Sequence, residues 1–146
     1  MNGAGFSKLG SPLADLEAAW PDRLRDAEAL LAAGRNGWAI ATGLYTLEIR
    51  LKVLICRKLD LAQLPRPFEV HDLPGLLVLS GLSRRIQRKP ARRVKLNWDR
   101  IVEMSPHLNE FRYTADAKWS AAQAQEFFRQ LRDPPNGVLV WLDKVR

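Results

Sequence analysis

Several residue types on which common chemistries depend are scarce in this chain of 146 residues. Its single cysteine, Cys56, cannot form an internal disulfide, which suits a reducing compartment. Histidine occurs twice, at His71 and His107, and neither is gathered with Asp or Glu at ligand spacing. No CxxC, HExxH or glycine-rich phosphate loop is present, so neither a metal site nor a cofactor is expected. No local signature of a Ser–His–Asp nucleophile occurs. No apolar run approaches the ~18 to 20 residues that span a bilayer. The N-terminus carries no basic segment followed by an apolar stretch, so no secretory leader is expected. Strand-like alternation is nearly absent, and no repeat of fixed period is visible. These absences leave a cytoplasmic protein without membrane contact as the expectation.

What is present describes an ordinary folded domain. Hydrophobic residues make up 47% and charged residues 27%, a balance that excludes wholesale disorder. The length suits one domain that buries a core without disulfide or metal staples. Residues 1–11 read as a loose polar head, and residues 12–146 as one helical domain. The formal net charge is +7, and its placement is concentrated. Arg84, Arg85, Arg88, Lys89, Arg92, Arg93 and Lys95 stand together with no acid among them, and the rest of the chain balances 16 basic against 16 acidic residues. Such a run suits a polyanion, whether a nucleic acid such as RNA, an acidic partner or an anionic membrane surface, although a solvated loop would have the same composition.

The pattern of apolar residues predicts helices separated by proline and glycine. A weak segment, Leu13 to Trp20, leads into a strong helix over about Asp22 to Ala33, with Pro21 in the first turn and Gly34 at the stop. The longest helix, about Asn36 to Lys58, is apolar most of the way round, which marks a central helix. Pro65 and Pro67 then hold about Leu59 to Val70 as a loop. Further helices are expected at about His71 to Leu82, about Leu96 to Met104, Ser120 to Arg132 with a Ser120/Gln123 capping box, and through VLVWLDKV. The fold expected is an all-α, antiparallel bundle of four to five main helices.

Candidate chemistry falls to a few residues. Arg66 and His71 stand five positions apart on the loop leading into the third helix. A neutral imidazole can take a proton from a ribose 2′-hydroxyl, and a guanidinium can hold the phosphate. His71 could equally be a structural residue of the helix start, and Arg66 a solvated charge. Glu48 lies one turn before Lys52 in the long helix, as an intrahelical pair or as a carboxylate at a site. His107 and Arg112 form a second pair in reversed order, read as a structural turn with Arg112 and Tyr113 against the bundle. Cys56 reads as a small buried hydrophobe.

The stretch from about Ala27 to Leu82 resembles a prokaryotic HEPN domain. The similarity is carried by AEALLAAGR, WAIATGLYTLEIRLKVLI and LPRPFEVHDLPGLLVLSGL, and later by NWDRIVEMSPHLNEFRYT. It covers half to two-thirds of the chain. The resemblance implies a helical bundle that dimerises side by side, with two Arg-x4-6-His motifs meeting in one composite site. It implies metal-independent RNA cleavage in toxin–antitoxin, antiviral defence or related systems, with a nucleotidyltransferase antitoxin as a possible partner. By position, Arg66 would be the motif arginine, His71 the motif histidine and Glu48 the carboxylate of the second helix. Two positions depart from the family pattern. Pro67 replaces the polar residue that commonly follows the arginine, and Leu73 stands where paired toxins have tyrosine. Two functions follow as expectations: a hydrolase acting as an endoribonuclease, or a non-catalytic module that binds RNA or a protein partner and dimerises.

Overall fold

The structure, a computed structural model, describes residues 10–145. The expected polar head lies outside the described residues except for Gly10 and Ser11. Six α-helices make up the described chain, joined by short 3-10 turns, and it contains no β-strand beyond one isolated bridge between Pro12 and Gln63. The all-α bundle is as expected, with six helices rather than four or five.

Helix α1 spans Leu13–Ala32, with Pro21 inside it rather than at its start. The weak leading segment and the strong helix are therefore one element. Leu13, Leu16, Trp20, Leu24, Ala27 and Leu31 recur every three or four residues on both sides of Pro21, and all join the core. This apolar stripe continues through the proline and keeps the helix packed, although Pro21 can donate no hydrogen bond to the preceding turn. Gly34, with φ of 74°, ends the helix. Its N–H donates to the Leu31 carbonyl and the next N–H, of Arg35, to the Leu30 carbonyl. That pair of bonds reverses the chain within three residues.

Helix α2 spans Asn36–Lys58, as expected, and runs antiparallel to α1. Arg57 near its end pairs with Glu17 near the start of α1, at 2.8 Å. Buried residues occur on all its faces, so it is the central rod of the bundle. Its N-terminus is capped from afar. The Trp38 N–H donates to Asp116 Oδ1 at 3.1 Å, and the Asn36 side-chain amide donates to the Trp119 carbonyl at 2.9 Å. Arg50 fixes the middle. Its guanidinium donates to Asp143 at 2.9 Å and lies 5.0 Å over the Trp20 ring.

The loop after α2 contains a single 3-10 turn, Arg66–Phe68. Helix α3 is only Leu73–Leu79, shorter than expected at both ends. Asp72 is extended and precedes it, and Gly81, with φ of 80°, closes it. Two 3-10 turns, Arg85–Gln87 and Lys89–Ala91, lead into α4, Arg92–Met104. This helix begins four residues before the expected Leu96, because Pro90 sits in the turn just ahead of it, where its fixed φ starts a helix rather than breaking one. Helix α5, Ala121–Arg132, has both bonds of the expected capping box. Helix α6, Val138–Val145, completes the bundle. Helices α1, α3 and α5 pack around α2, and α4 packs on α5 and α6.

Candidate functional site

Glu48 and Lys52 are one turn apart on α2, with the carboxylate N-terminal to the ammonium, which is the favourable order for such a pair. The Lys52 Nζ donates to Glu48 Oε1 at 2.6 Å, and both side chains are more than nine-tenths buried. A buried carboxylate needs further hydrogen bonds to offset its lost hydration. His71 supplies them. Its Nδ1 stands 3.0 Å from each Glu48 oxygen, although 23 residues separate the two in sequence. An ionised carboxylate only accepts, so Nδ1 is the donor, and in the neutral ring the lone pair then falls on Nε2. The His71 side chain is 72% exposed. The arrangement is a buried acid holding one nitrogen of a solvent-facing imidazole.

The loop that carries His71 is held at both ends. Upstream, the Leu64 N–H donates to the Ser11 carbonyl and the Leu13 N–H to the Ala62 carbonyl, each at 2.8 Å. The Ser11 N–H donates to Glu69 Oε1 at 3.0 Å, so Ser11 is tied to the loop rather than part of a loose head. A Cβ at Gly10 would lie 1.5 Å from the Leu64 carbonyl oxygen, so only glycine permits this close approach. Downstream, buried Leu73 seats the first turn of α3. His71 stands on the loop leading into that helix, as expected, two residues ahead of its first residue.

The other expected site residues are distributed around this pair. Arg66 is exposed, in the 3-10 turn five residues before His71. Arg84, Arg85, Arg88, Lys89, Arg92 and Arg93 are exposed, and Lys95 is half-buried and pairs with Asp99 at 2.7 Å. The basic run is ordered as two 3-10 turns and the first turn of α4. The second His/Arg pair lies on two successive 3-10 turns, Ser105–His107 and Glu110–Arg112. His107 lies 3.1 Å from Glu110 and edge-on to Trp119, which fits the structural turn. Arg112 and Tyr113, expected against the bundle, are exposed instead, Tyr113 by 79%. The 3-10 turn Glu110–Arg112 buries Phe111, which leaves its neighbours facing water. Cys56 is fully buried, and burial raises its thiol pKa. Lys52 was not singled out as a site residue. The one signal for it was a second charge inside an apolar helix, a single turn from Glu48.

Among the described residues no three His, Cys, Asp or Glu side chains gather as metal ligands, and no helix is long and apolar enough to cross a membrane. Compared with protein-family models, curated proteins and solved structures, the chain matches none.

Proposed function

We propose that this chain is an RNA-cleaving protein of the HEPN type, acting as a cytoplasmic homodimer in a toxin or defence role. One observation carries the reading. The Glu48 carboxylate fixes the exposed His71 imidazole with its hydrogen on Nδ1, which leaves Nε2 free to act as a general base. Nε2 takes the proton of a ribose 2′-hydroxyl, and the 2′-oxygen attacks the adjacent phosphorus. The bond from phosphorus to the 5′-oxygen breaks, and that oxygen leaves with a proton from the second imidazole of the dimer. The products are a 2′,3′-cyclic phosphate and a 5′-hydroxyl. Arg66, five residues upstream on the same loop, would hold the phosphate oxygens as charge grows on them. The basic run would hold the RNA backbone. Exposed Val70, Val78 and Leu79, close to His71 in sequence, offer apolar surface for a dimer contact.

A second reading has its own observation. Lys52 already balances Glu48, so the His71 contact also serves to dock the loop on α2. In that case the chain binds RNA or a protein, such as a nucleotidyltransferase, without cutting. Pro67, which removes a backbone donor beside Arg66, favours this role.

The test is RNA cleavage in EDTA by wild type and His71→Ala at matched dimer content. Wild-type cleavage that leaves 2′,3′-cyclic ends and vanishes in the variant is the expected result. Equal inactivity of both, across varied RNAs and with the dimer intact, would leave only the binding role.

A further inference from the structure

Three adjoining hollows are lined by α2, the turn after α3, α4, α5 and α6. The first, about 360 Å³, is lined by buried Leu54 and Leu82 and by Arg57, Lys58 and Arg85. The second, about 480 Å³, shares Arg85 and Val145 with the first. It adds Arg88 and Lys144 above buried Val94 and Trp141. The third, about 360 Å³, shares Asn136 with the second and adds Arg93, Arg100 and Arg129. The shared residues place the three hollows in series, here called the trough, and no acidic side chain lines any of them.

The rim cations differ in how free they are. Arg57 is held by Glu17 at 2.8 Å and Arg129 by Glu126 at 2.7 Å. Lys58, Arg88, Arg93 and Lys144 have no ion-pair partner among the described residues, whereas Arg85 donates to the Val145 carbonyl at 3.5 Å and Arg100 acts electrostatically on Glu126. The basic run is thereby divided. Arg85, Arg88 and Arg93 line the trough, whereas Arg84, Lys89, Arg92 and Lys95 do not. The chain brings Lys58 and Lys144 from distant positions, and Arg100 from two turns beyond Arg93 on α4, to complete the line.

We infer that this trough is the track for a single strand of RNA, with its phosphates on the rim and bases over the apolar floor of the first two hollows. The inference rests on the RNA reading above and deepens it by naming the form of the substrate. Each hollow falls in the range of sites for small organic groups, about 300–1,000 Å³. The rim is mostly arginine, whose planar fork matches phosphate oxygens in pairs. A duplex keeps its bases stacked inside and cannot lay them on Leu54, Leu82 or Val94. An acidic amphipathic peptide would want a continuous apolar floor, and the third hollow has only exposed Leu96 to offer.

The test is fluorescence anisotropy of a labelled 2′-O-methyl RNA of roughly 12 nucleotides, a span typical of single-strand sites, over a range of KCl. The methyl group removes the attacking hydroxyl, so binding is read whether or not the protein cleaves. Arg85→Glu/Lys144→Glu and Arg88→Glu/Arg93→Glu are compared with Arg112→Glu/Lys118→Glu, an exposed pair outside the trough. All six side chains are exposed, and circular dichroism checks that each variant folds. Each lost phosphate contact should flatten the salt slope by about 0.7, so a trough pair should lose about 1.4 and the outside pair little. Equal slopes for all three variants would overturn the track. So would displacement of the strand by an RNA duplex or polyglutamate as effectively as by unlabelled single strand. Binding with trough-dependent slopes but no cleavage of unmethylated RNA would sink the nuclease reading and keep the track. Cleavage with unaltered slopes would do the reverse.

Discussion

His71 Nδ1 is held at 3.0 Å by both oxygens of Glu48, a carboxylate buried on the central helix and neutralised by Lys52. A charged acceptor fixes both the tautomer and the orientation of the ring, and an amide in its place does so poorly. Glu48→Gln should therefore slow RNA cleavage by up to about 10⁴-fold, the loss seen when the carboxylate that orients a general-base histidine becomes an amide. The loss should fall on kcat rather than KM, because RNA need not touch Glu48. Nitrogen-15 NMR of the His71 ring gives an independent reading, since the wild type should show hydrogen on Nδ1 and the variant a mixture. An unchanged rate together with a changed tautomer would remove His71 from the chemistry.

Asp116 tests a different long-range link. Its Oδ1 accepts the Trp38 N–H in the first turn of α2, and its Oδ2 pairs with Arg35 at 2.8 Å. The carboxylate does the work of a helix cap, supplied 78 residues away in sequence. Asp116→Ala should cost about 1 kcal/mol of stability, typical of a lost cap, in urea unfolding. Asp116→Asn keeps the acceptor and should lose less than half as much. An equal loss from both would assign the effect to charge with Arg35 rather than to the cap.

These two sites show which parts of the molecule could be read from residue order. The long helix, its end at Lys58 and the Ser120/Gln123 capping box depend on local spacing, and the structure has all three. Glu48 stood out because a carboxylate within an apolar helix must be paired, and the pairing with Lys52 is one turn long. The bond from Glu48 to His71 and the cap from Asp116 join distant segments, and no periodicity carries such information. The unbroken helix through Pro21 was hidden for another reason. Proline's local preference suggested a boundary there, while the apolar stripe from Leu13 to Leu31 carried the helix across it. The trough likewise draws on Lys58 and Lys144, which no charge run connects with Arg85.

Glu126 provides a pH-dependent prediction. Its hydrogen bond from Arg129 lowers its pKa from 4.5 to about 2. A carboxyl whose folded pKa is depressed adds stability above its unfolded pKa and loses it as pH falls toward the folded one. The contribution of Glu126 should be complete above about pH 5 and fade between 4.5 and 2. Both partners are nearly half exposed, with side-chain exposures of 49% and 45%, so solvent screening keeps the effect within about 1 kcal/mol at pH 7. Thermal melts of wild type and Glu126→Gln should differ at pH 7 and converge as the pH approaches 2. A gap that persists at pH 2 would mean that the glutamine perturbs packing instead.

Gly43 on α2 faces Phe127 and Leu131 of α5, and two opposing effects meet there. An alanine would favour the helix by up to about 1 kcal/mol, because glycine is the more flexible residue in the unfolded chain. Its Cβ, however, would stand 2.5 Å from Phe127 Cε1 and 3.3 Å from Leu131 Cδ2. Phe127 is 2% exposed and edge-on to Phe128, so its ring has little room to retreat. Overpacking of this kind costs about 1–3 kcal/mol, which exceeds the gain in propensity. Gly43→Ala should therefore destabilise the protein by about 1 kcal/mol in urea. In a Phe127→Leu background the clash is relieved and only the propensity gain remains, so there the same substitution should be neutral or stabilising. The change of sign between the two backgrounds identifies the ring contact as the cause, and a loss of equal size in both would place the strain elsewhere along α2.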